Sequence, residues 1–332
     1  MMRRKSVTIL GGGAWGSVLA MVAETTGSRP TIWLRDKSVA ANVQNRREIP
    51  QLPNLRLDED ILITADLAAA AQHARDAIVL AVPAQSVREV MIAAAPYIPP
   101  GVPIVLASKG IENGTGRLLS EIIAEIIPHA PLAVMSGPGF AAEVAVGLPT
   151  AVTLACRDGR TARRVAALFM LPHFRPYLSS DPVAAEIGGA LKNVMAIASG
   201  IIMGHGLGEN ARAALLTRGL AEMVRLGKAK GAKAVSFSGL SGLGDLMLSA
   251  TSEKSRNYAL GLAIGRVASI RQLNADRHPL AEGVHTAAAA SLLAGTLNLD
   301  MPITTAVDAI LHLEANIEDC MTALLARPVG KE

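Results

Sequence analysis

Aromatic side chains make up only 3% of this 332-residue chain, and it holds only two cysteines. With so few aromatics there is little to build a base-stacking surface from. The net charge of +4 is scattered, and its longest basic cluster is the short Arg3-Arg4-Lys5. Nucleic-acid binders concentrate their basic residues in a stripe, so the composition argues against that class. Cys156 and Cys320 lie far apart and form no metal or redox spacing, and the seven histidines form no zinc-like pair. No metal site is expected, and the cysteine usage fits a reducing cytoplasm. A convincing membrane span is also missing. The best candidate, residues 187–203, carries Lys192 and Asn193 in its middle.

What the chain does have is aliphatic mass. Half its residues are apolar, chiefly Ala, Leu, Val and Ile, and 18% are charged. Burial on that scale can offset the entropy of ordering, and the length allows two domains. The start imitates a secretion signal, because basic residues precede an uncharged run from Val7 to Ala23. That run contains Gly11, Gly12, Gly13 and Gly16, which break an apolar helix, and it leads into a strand-like TIWL. We read it as strand, turn and helix.

Continuous apolar runs recur through the first half: VTIL (7–10), TIWL (31–34), AIVLAV (77–82), PIVLAS (103–108), LAVMS (132–136) and AVTLA (151–155). Runs without alternation indicate strands buried on both faces, as in a parallel doubly wound sheet. The Ala-rich stretches 66–74 and 86–95 supply crossover helices. After residue 180 the pattern becomes helical: 183–203, 210–230, 256–267, 284–296, and 303–327 as one helix or two. Asp181 before Pro182 reads as a helix cap. The expected fold is an α/β Rossmann-type domain with a parallel-rich sheet (1–181), followed by an all-α domain (182–332).

Gly11-x-Gly13-x-x-Gly16 follows the first strand and opens a helix at Ser17 to Glu24. Such glycines make a tight turn and let the backbone approach a pyrophosphate, which the free amides of the helix start then hold. After the second strand come Arg35 and Asp36. An arginine there accommodates the 2′-phosphate of NADP, whereas an acid holds the ribose hydroxyls of NAD. Either residue can take that role, or the two form a surface ion pair; the balance favours NADP. Ligands of an open α/β sheet sit beyond the carboxyl ends of its strands. Three such ends carry Pro83, a wall for the nicotinamide, then Lys109, and Gly137-Pro138-Gly139. Lys109 alone would read as a solvated surface lysine.

In EIGGALKNVMAIASGI, Lys192 and Asn193 sit inside an apolar helix. A desolvated ammonium is costly, so such a lysine either snorkels to the surface or lines a ligand cavity. We read the cavity, with a lysine that exchanges a proton with substrate. Gly188-Gly189 would admit a close backbone or ligand. Further on, Gly239, Gly242 and Gly244 precede Asp245, and Ser255-Arg256-Asn257 start a helix. A capping serine with arginine behind it offers amides and a guanidinium fork to a phosphate, or is simply a capped helix with an exposed arginine.

At these residues the chain resembles the bacterial NAD(P)-dependent sn-glycerol-3-phosphate dehydrogenase family, over essentially its whole length. The resemblance rests on GGGAWG, SKG, SGPGFAAEVAVGLPT, GGALKNV, ARAALLTRGLAEM, SGLGDL, SRN, AEGVHT and MPIT, in that order. It implies that Gly11, Gly13, Ala14, Trp15, Gly16, Arg35, Pro83, Lys109, Ala141, Arg256 and Glu282 border an NADP or NAD cofactor. It implies that Lys109, Gly137, Gly139, Lys192, Asn193, Asp245, Ser255, Arg256 and Asn257 surround glycerol 3-phosphate. Lys192 would be the acid/base, with Asp245 and Lys109 assisting, and Arg256 with the amide of Asn257 would take the phosphate. A cytoplasmic homodimer supplying phospholipid synthesis is also implied. Ala14 and Gly139 depart from the family, which commonly has hydroxyl residues there. Rival readings are a β-hydroxyacid dehydrogenase or ketopantoate-type reductase, and a non-catalytic redox sensor.

Overall fold

The computed structural model describes residues 4–267 and 281–328, so Arg3 of the basic cluster lies outside the described residues. By its contacts the chain divides into two units: Met1–Lys109 with Leu118–Glu186, and Gly110–Arg117 with Ile187–Glu332.

The first unit opens with β1 (Ser6–Leu10), α1 (Ala14–Thr25), β2 (Arg29–Trp33) and α2 (Lys37–Arg46). A hairpin of β3 (Glu48–Ile49) and β4 (Leu52–Arg56) precedes β5 (Leu62–Thr64), α3 (Leu67–His73), β6 (Ala77–Leu80) and α4 (Val87–Ala94). Then come β7 (Ile104–Leu106), α5 (Leu119–Ile126), β8 (Leu132–Ser136), α6 (Ala141–Ala145), β9 (Thr150–Cys156), α7 (Gly159–Ala166) and β10 (Phe174–Ser179). Eight strands form one sheet in the order β10-β9-β8-β7-β6-β1-β2-β5, in which only β8 and β9 run antiparallel.

All six apolar runs fall on this sheet. They are apolar on both faces because both faces are covered. In β1, Val7 and Ile9 join a core with Ile32, Val79 and Phe174, while Leu10 joins the opposite core with Ile78 and Leu80. The edge strands β5 and β10 escaped the pattern for the complementary reason: β10 alternates buried Phe174 and Pro176 with exposed Arg175 and Tyr177. A half-solvated edge does not read as a continuous run.

The change to helices comes at Asp181, whose Oδ1 accepts the Ala184 amide at 3.1 Å. It opens α8 (Pro182–Gly204), followed by α9 (Gly208–Ala229), α10 (Asp245–Ala250), α11 (Arg256–Gly265) and α12 (Glu282–Thr296). The final stretch forms two helices, α13 (Pro302–His312) and α14 (Ile317–Leu325). Helix α8 is long and apolar enough to cross a membrane, but 83% of its most apolar window is buried within the fold.

Helices α8 and α11 cross at backbone contact. Gly200 and Gly204 on one face Gly261 and Gly265 on the other. A methyl group at any of them would overlap backbone carbonyl oxygens, namely those of Tyr258, Leu262, Ile197 and Ile201 respectively. Glycine is required here by proximity rather than by backbone conformation. Elsewhere in this unit the buried Glu222 of α9 caps α13, accepting the amides of Ile303 at 2.6 Å and Thr304 at 3.0 Å.

Glu186 belongs to the first unit by contacts and is buried. One carboxylate oxygen accepts the Ser120 amide at 2.9 Å, and Oε2 has no hydrogen-bond partner among the described residues. Burial pushes this carboxyl up to about 7, with Glu121 adding in the same direction against the bonds from Ser120.

Two measurements follow from these contacts. Gly261→Ala should destabilise the protein by about 1–3 kcal/mol in denaturant melts, the range for overpacked cores. Gly219→Ala should cost less, because its Cβ would meet only the flexible thioether of Met195. For Glu186, a raised folded-state value means that its stabilising contribution is complete below the ordinary 4.5 and is lost as pH rises through about 7. The melting temperature should therefore fall across that window, and Glu186→Gln should flatten the fall.

Candidate active site

The strand order reverses beside β1, which lies between β2 and β6. The turn that follows β1 sits at this switch point, where open α/β sheets bind their ligands. Gly11 has φ +114°, and a Cβ there would stand 2.7 Å from the Ala81 carbonyl carbon and 2.8 Å from the Val82 nitrogen. At Gly16 a methyl group would overlap the Gly11 carbonyl oxygen. Gly13 is different. It precedes the first turn of α1, no side chain caps that turn, and a Cβ on Gly13 would meet nothing within 4 Å. No side chain takes the amides of the first turn, and the backbone beside Gly13 is open, a cradle that fits a pyrophosphate.

Trp15 stands in that first turn. Its Nε1 is buried with no hydrogen-bond partner among the described residues. A Cβ on Gly139 would lie 3.0 Å from the indole edge, so glycine at this position leaves room for the ring. Lys109, just past β7, donates from Nζ to the Gly137 carbonyl at 3.1 Å and so ties two strand ends together. Pro83 is exposed just beyond β6, and Ala141 opens α6. These groups suit a nicotinamide dinucleotide: an open amide cradle, a buried donor awaiting an acceptor, and no carboxylate in the turn.

The Arg35-Asp36 pair is resolved by helix capping. Asp36 accepts the Ser38 amide at 2.7 Å, the Ser38 hydroxyl at 2.6 Å and the Val39 amide at 3.0 Å. These bonds, the Ser38 hydroxyl foremost, hold its carboxyl below the usual range. Arg35 is exposed, and its guanidinium has no hydrogen bond or ion pair among the described residues. No ion-pair contact joins the two among the described residues, although the charge of Arg35 also helps to lower the Asp36 carboxyl.

In the second unit α8 presents Lys192, with its side chain 12% exposed. Its Nζ donates to Ser249 Oγ at 2.6 Å and lies 3.1 Å from Asp245 Oδ1. Ser249 Oγ in turn donates to Asp245 Oδ1 at 3.2 Å. Asp245 and Ser249 are one helical turn apart on α10, so both face the lysine. The expected lysine and acid are thus joined. The serine was missed in the sequence, although its i,i+4 spacing from Asp245 was the signal that could have found it.

Asn193, beside Lys192, is also buried. Its Oδ1 accepts from Asn257 Nδ2 at 2.9 Å, and Asn257 Oδ1 accepts the Gly283 amide at 2.9 Å. The carboxamide of Asn257 thus links α8, α11 and the first turn of α12, where Glu282 stands. Ser255 caps α11, its hydroxyl accepting the Tyr258 amide at 3.4 Å. The amides of Arg256 and Asn257 are left without acceptors among the described residues, and the Arg256 guanidinium is exposed beside them. One carboxylate set, Glu24, Asp58 and Asp60, converges within 4.8 Å, with Arg4 paired to Asp60.

A glycine turn at the switch point of a parallel-rich sheet in the first unit, and a part-buried lysine held by an acid and a hydroxyl in the second, are features that a nucleotide-dependent oxidoreductase carries. Comparison with known proteins narrows the class. Residues 6–162 match the family described as NAD-dependent glycerol-3-phosphate dehydrogenase N-terminus, and residues 181–322 match its C-terminal counterpart. Glycerol-3-phosphate dehydrogenase (NAD(P)+) of Rhodospirillum rubrum is 48% identical, over 98% of this chain and 93% of its own. The crystal structure of glycerol-3-phosphate dehydrogenase from Coxiella burnetii superposes with a TM-score of 0.92 at 35% identity, covering 98% of this chain and 99% of that one. A ketopantoate reductase from Ralstonia eutropha shares the fold alone, at 15% identity and a TM-score of 0.59, over 93% of this chain and 97% of that one. The chain belongs to the NAD-dependent glycerol-3-phosphate dehydrogenase family.

Ser249→Ala should lower turnover by about 10–100-fold, the worth of a hydrogen bond to a charged group, while leaving nucleotide affinity unchanged in titration calorimetry. Unaltered turnover would remove Ser249 from the proton-holding set.

Proposed function

We propose that the chain interconverts sn-glycerol 3-phosphate and dihydroxyacetone phosphate with NADP(H) or NAD(H), and that Lys192 moves the proton. The observation that carries this reading is the part-buried contact of Lys192 with Ser249 and Asp245, on a helix packed against the one that carries Arg256. When bound, the reduced nicotinamide supplies the hydride. Lys192, as an ammonium stabilised by Asp245, donates a proton to the ketone oxygen; in reverse, the neutral amine accepts the proton from the alcohol. Ser249 fixes the lysine's direction.

Arg256 and the amides of Arg256 and Asn257 hold the phosphate, a non-reacting group whose binding energy can be used to lower the barrier at the carbonyl. Asn193 and Asn257 position that cradle and Lys192 through their shared hydrogen bond. Lys109, Gly137, Gly139 and Ser255 border the substrate. Gly11, Gly13, Ala14, Trp15, Gly16, Pro83, Ala141 and Glu282 border the nucleotide. Residues 1–181 act as the nucleotide domain and 182–332 as the substrate domain. The free Arg35 and the committed Asp36 favour NADP. The product supplies phospholipid synthesis, and the enzyme works in the cytoplasm as a homodimer.

The deciding assay follows oxidation of NADPH and NADH by the purified protein, with dihydroxyacetone phosphate and ketopantoate side by side. We expect turnover with the phosphate substrate alone and a higher kcat/KM with NADPH. Turnover with ketopantoate alone would overturn the phosphate role of Arg256. Lys192→Ala should lower kcat by roughly 10²–10⁴-fold, the usual worth of general acid help, with cofactor binding retained. A loss below about tenfold would remove the lysine from that role.

A further inference from the structure

The first unit has a second concave feature, at the opposite end of its strands from the glycine turn. A cavity of ≈ 300 Å³ is lined by Lys5, Asp76, Arg163, Arg164, Ala167 and Leu168. Lys5 precedes β1 and Asp76 precedes β6; the other four come from α7 and the turn that follows it. The five residues of β1 therefore separate this cavity from the Gly11 turn.

Its lining is unbalanced, with three cations facing one carboxylate. Asp76 is already engaged, accepting the Ser6 amide at 2.8 Å. Lys5, Arg163 and Arg164 are exposed, and none has a side-chain hydrogen bond or ion pair among the described residues. Arg160 lies three and four residues before the two arginines, on the same helix. Like charges at that spacing repel and destabilise a helix. Arg29 adds a further exposed cation close by, since its amide bonds to the Lys5 carbonyl at 2.7 Å. The floor, by contrast, is apolar and fixed: Leu168 is buried, and its carbonyl accepts the Thr26 hydroxyl at 2.9 Å.

Adjacent guanidinium groups with no carboxylate of their own suit the oxygens of a phosphate. The cavity exceeds what one phosphate fills, and its apolar floor can take a short hydrocarbon portion. We propose that this cavity is a second ligand site, for the phosphate group of a phosphorylated molecule, distinct from the nucleotide turn. The phosphate can come from a soluble phosphate ester or from a phospholipid headgroup.

The test uses the full chain and the double variant Arg163→Glu/Arg164→Glu, with Arg256→Ala as a second background. Inorganic phosphate is titrated by calorimetry. Vesicles of phosphatidylglycerol, and of phosphatidylcholine as the neutral control, are tested by co-sedimentation at physiological ionic strength. The expected result is a phosphate-binding event that persists in Arg256→Ala and weakens about tenfold or more on charge reversal, as loss of charge-assisted bonds predicts. Kinetics of the Arg163→Glu/Arg164→Glu protein with saturating substrates should be unchanged. Binding of phosphate without phosphatidylglycerol vesicles assigns the site to a soluble ester; vesicle binding that is lost on reversal assigns it to a headgroup. Should the reversed protein fail to fold, Arg163→Gln/Arg164→Gln replaces it, since neutralising α7 relieves its internal repulsion. Absence of binding to either probe, or binding indifferent to both double variants, overturns the proposal.

Discussion

The backbone contact between α8 and α11 is the constraint on which the chemistry of the second unit depends. Helix α8 carries Lys192 and α11 begins at Arg256 and Asn257, so their crossing fixes how far the proposed proton donor stands from the proposed phosphate end. Four glycines let carbonyl oxygens of each helix approach the α-carbons of the other, a geometry that adds weak Cα–H···O attraction. The cost is glycine's large entropy loss on folding. At these glycines backbone meets backbone, so no rotamer lets the spacing drift there. The Asn193–Asn257 bond then sets the register along the crossing, and the Gly283 amide brings α12 to the same carboxamide.

The first unit reaches precision by other means. Its glycine turn is dictated by the neighbouring strand, because Gly11 is pressed against the backbone after β6. Of its two candidate nucleotide discriminators, Asp36 starts α2, while the Arg35 guanidinium has no hydrogen bond among the described residues. Buried carboxyls serve both units structurally. Glu186 holds the start of α5 and Glu222 the start of α13, and burial raises both above the ordinary value.

Much of this was legible in the sequence, and the reasons differ by element. Interior strands of a doubly covered sheet must be continuously apolar, so VTIL, AIVLAV and LAVMS could be read directly. The edge strand FRPYLS could not, because half of it faces water. Lys192 was conspicuous as a charge in an apolar helix, but its partner Ser249 was not. A serine in an Ala/Leu/Met helix has no distinguishing context until Asp245 is known to share its face. The glycines of α8 and α11 were visible only in part: Gly188-Gly189 suggested close approach, yet the Gly200/Gly204 and Gly261/Gly265 pairs need the three-dimensional crossing to acquire meaning. The capping role of Asp36 was not read from the sequence, because the start of α2 depends on where the second strand ends, which composition does not encode.

The capping role of Asp36 also bears on how cofactor use could evolve. An acid at the end of the second strand is the usual means of holding unphosphorylated ribose, and here that acid already closes the start of a helix. Were Asp36 to be recruited to an unphosphorylated ribose, a new cap for α2 would have to come first, and a change at Arg35 would follow. The order of steps is constrained, so a library that randomises position 35 alone would explore only the later half of the path.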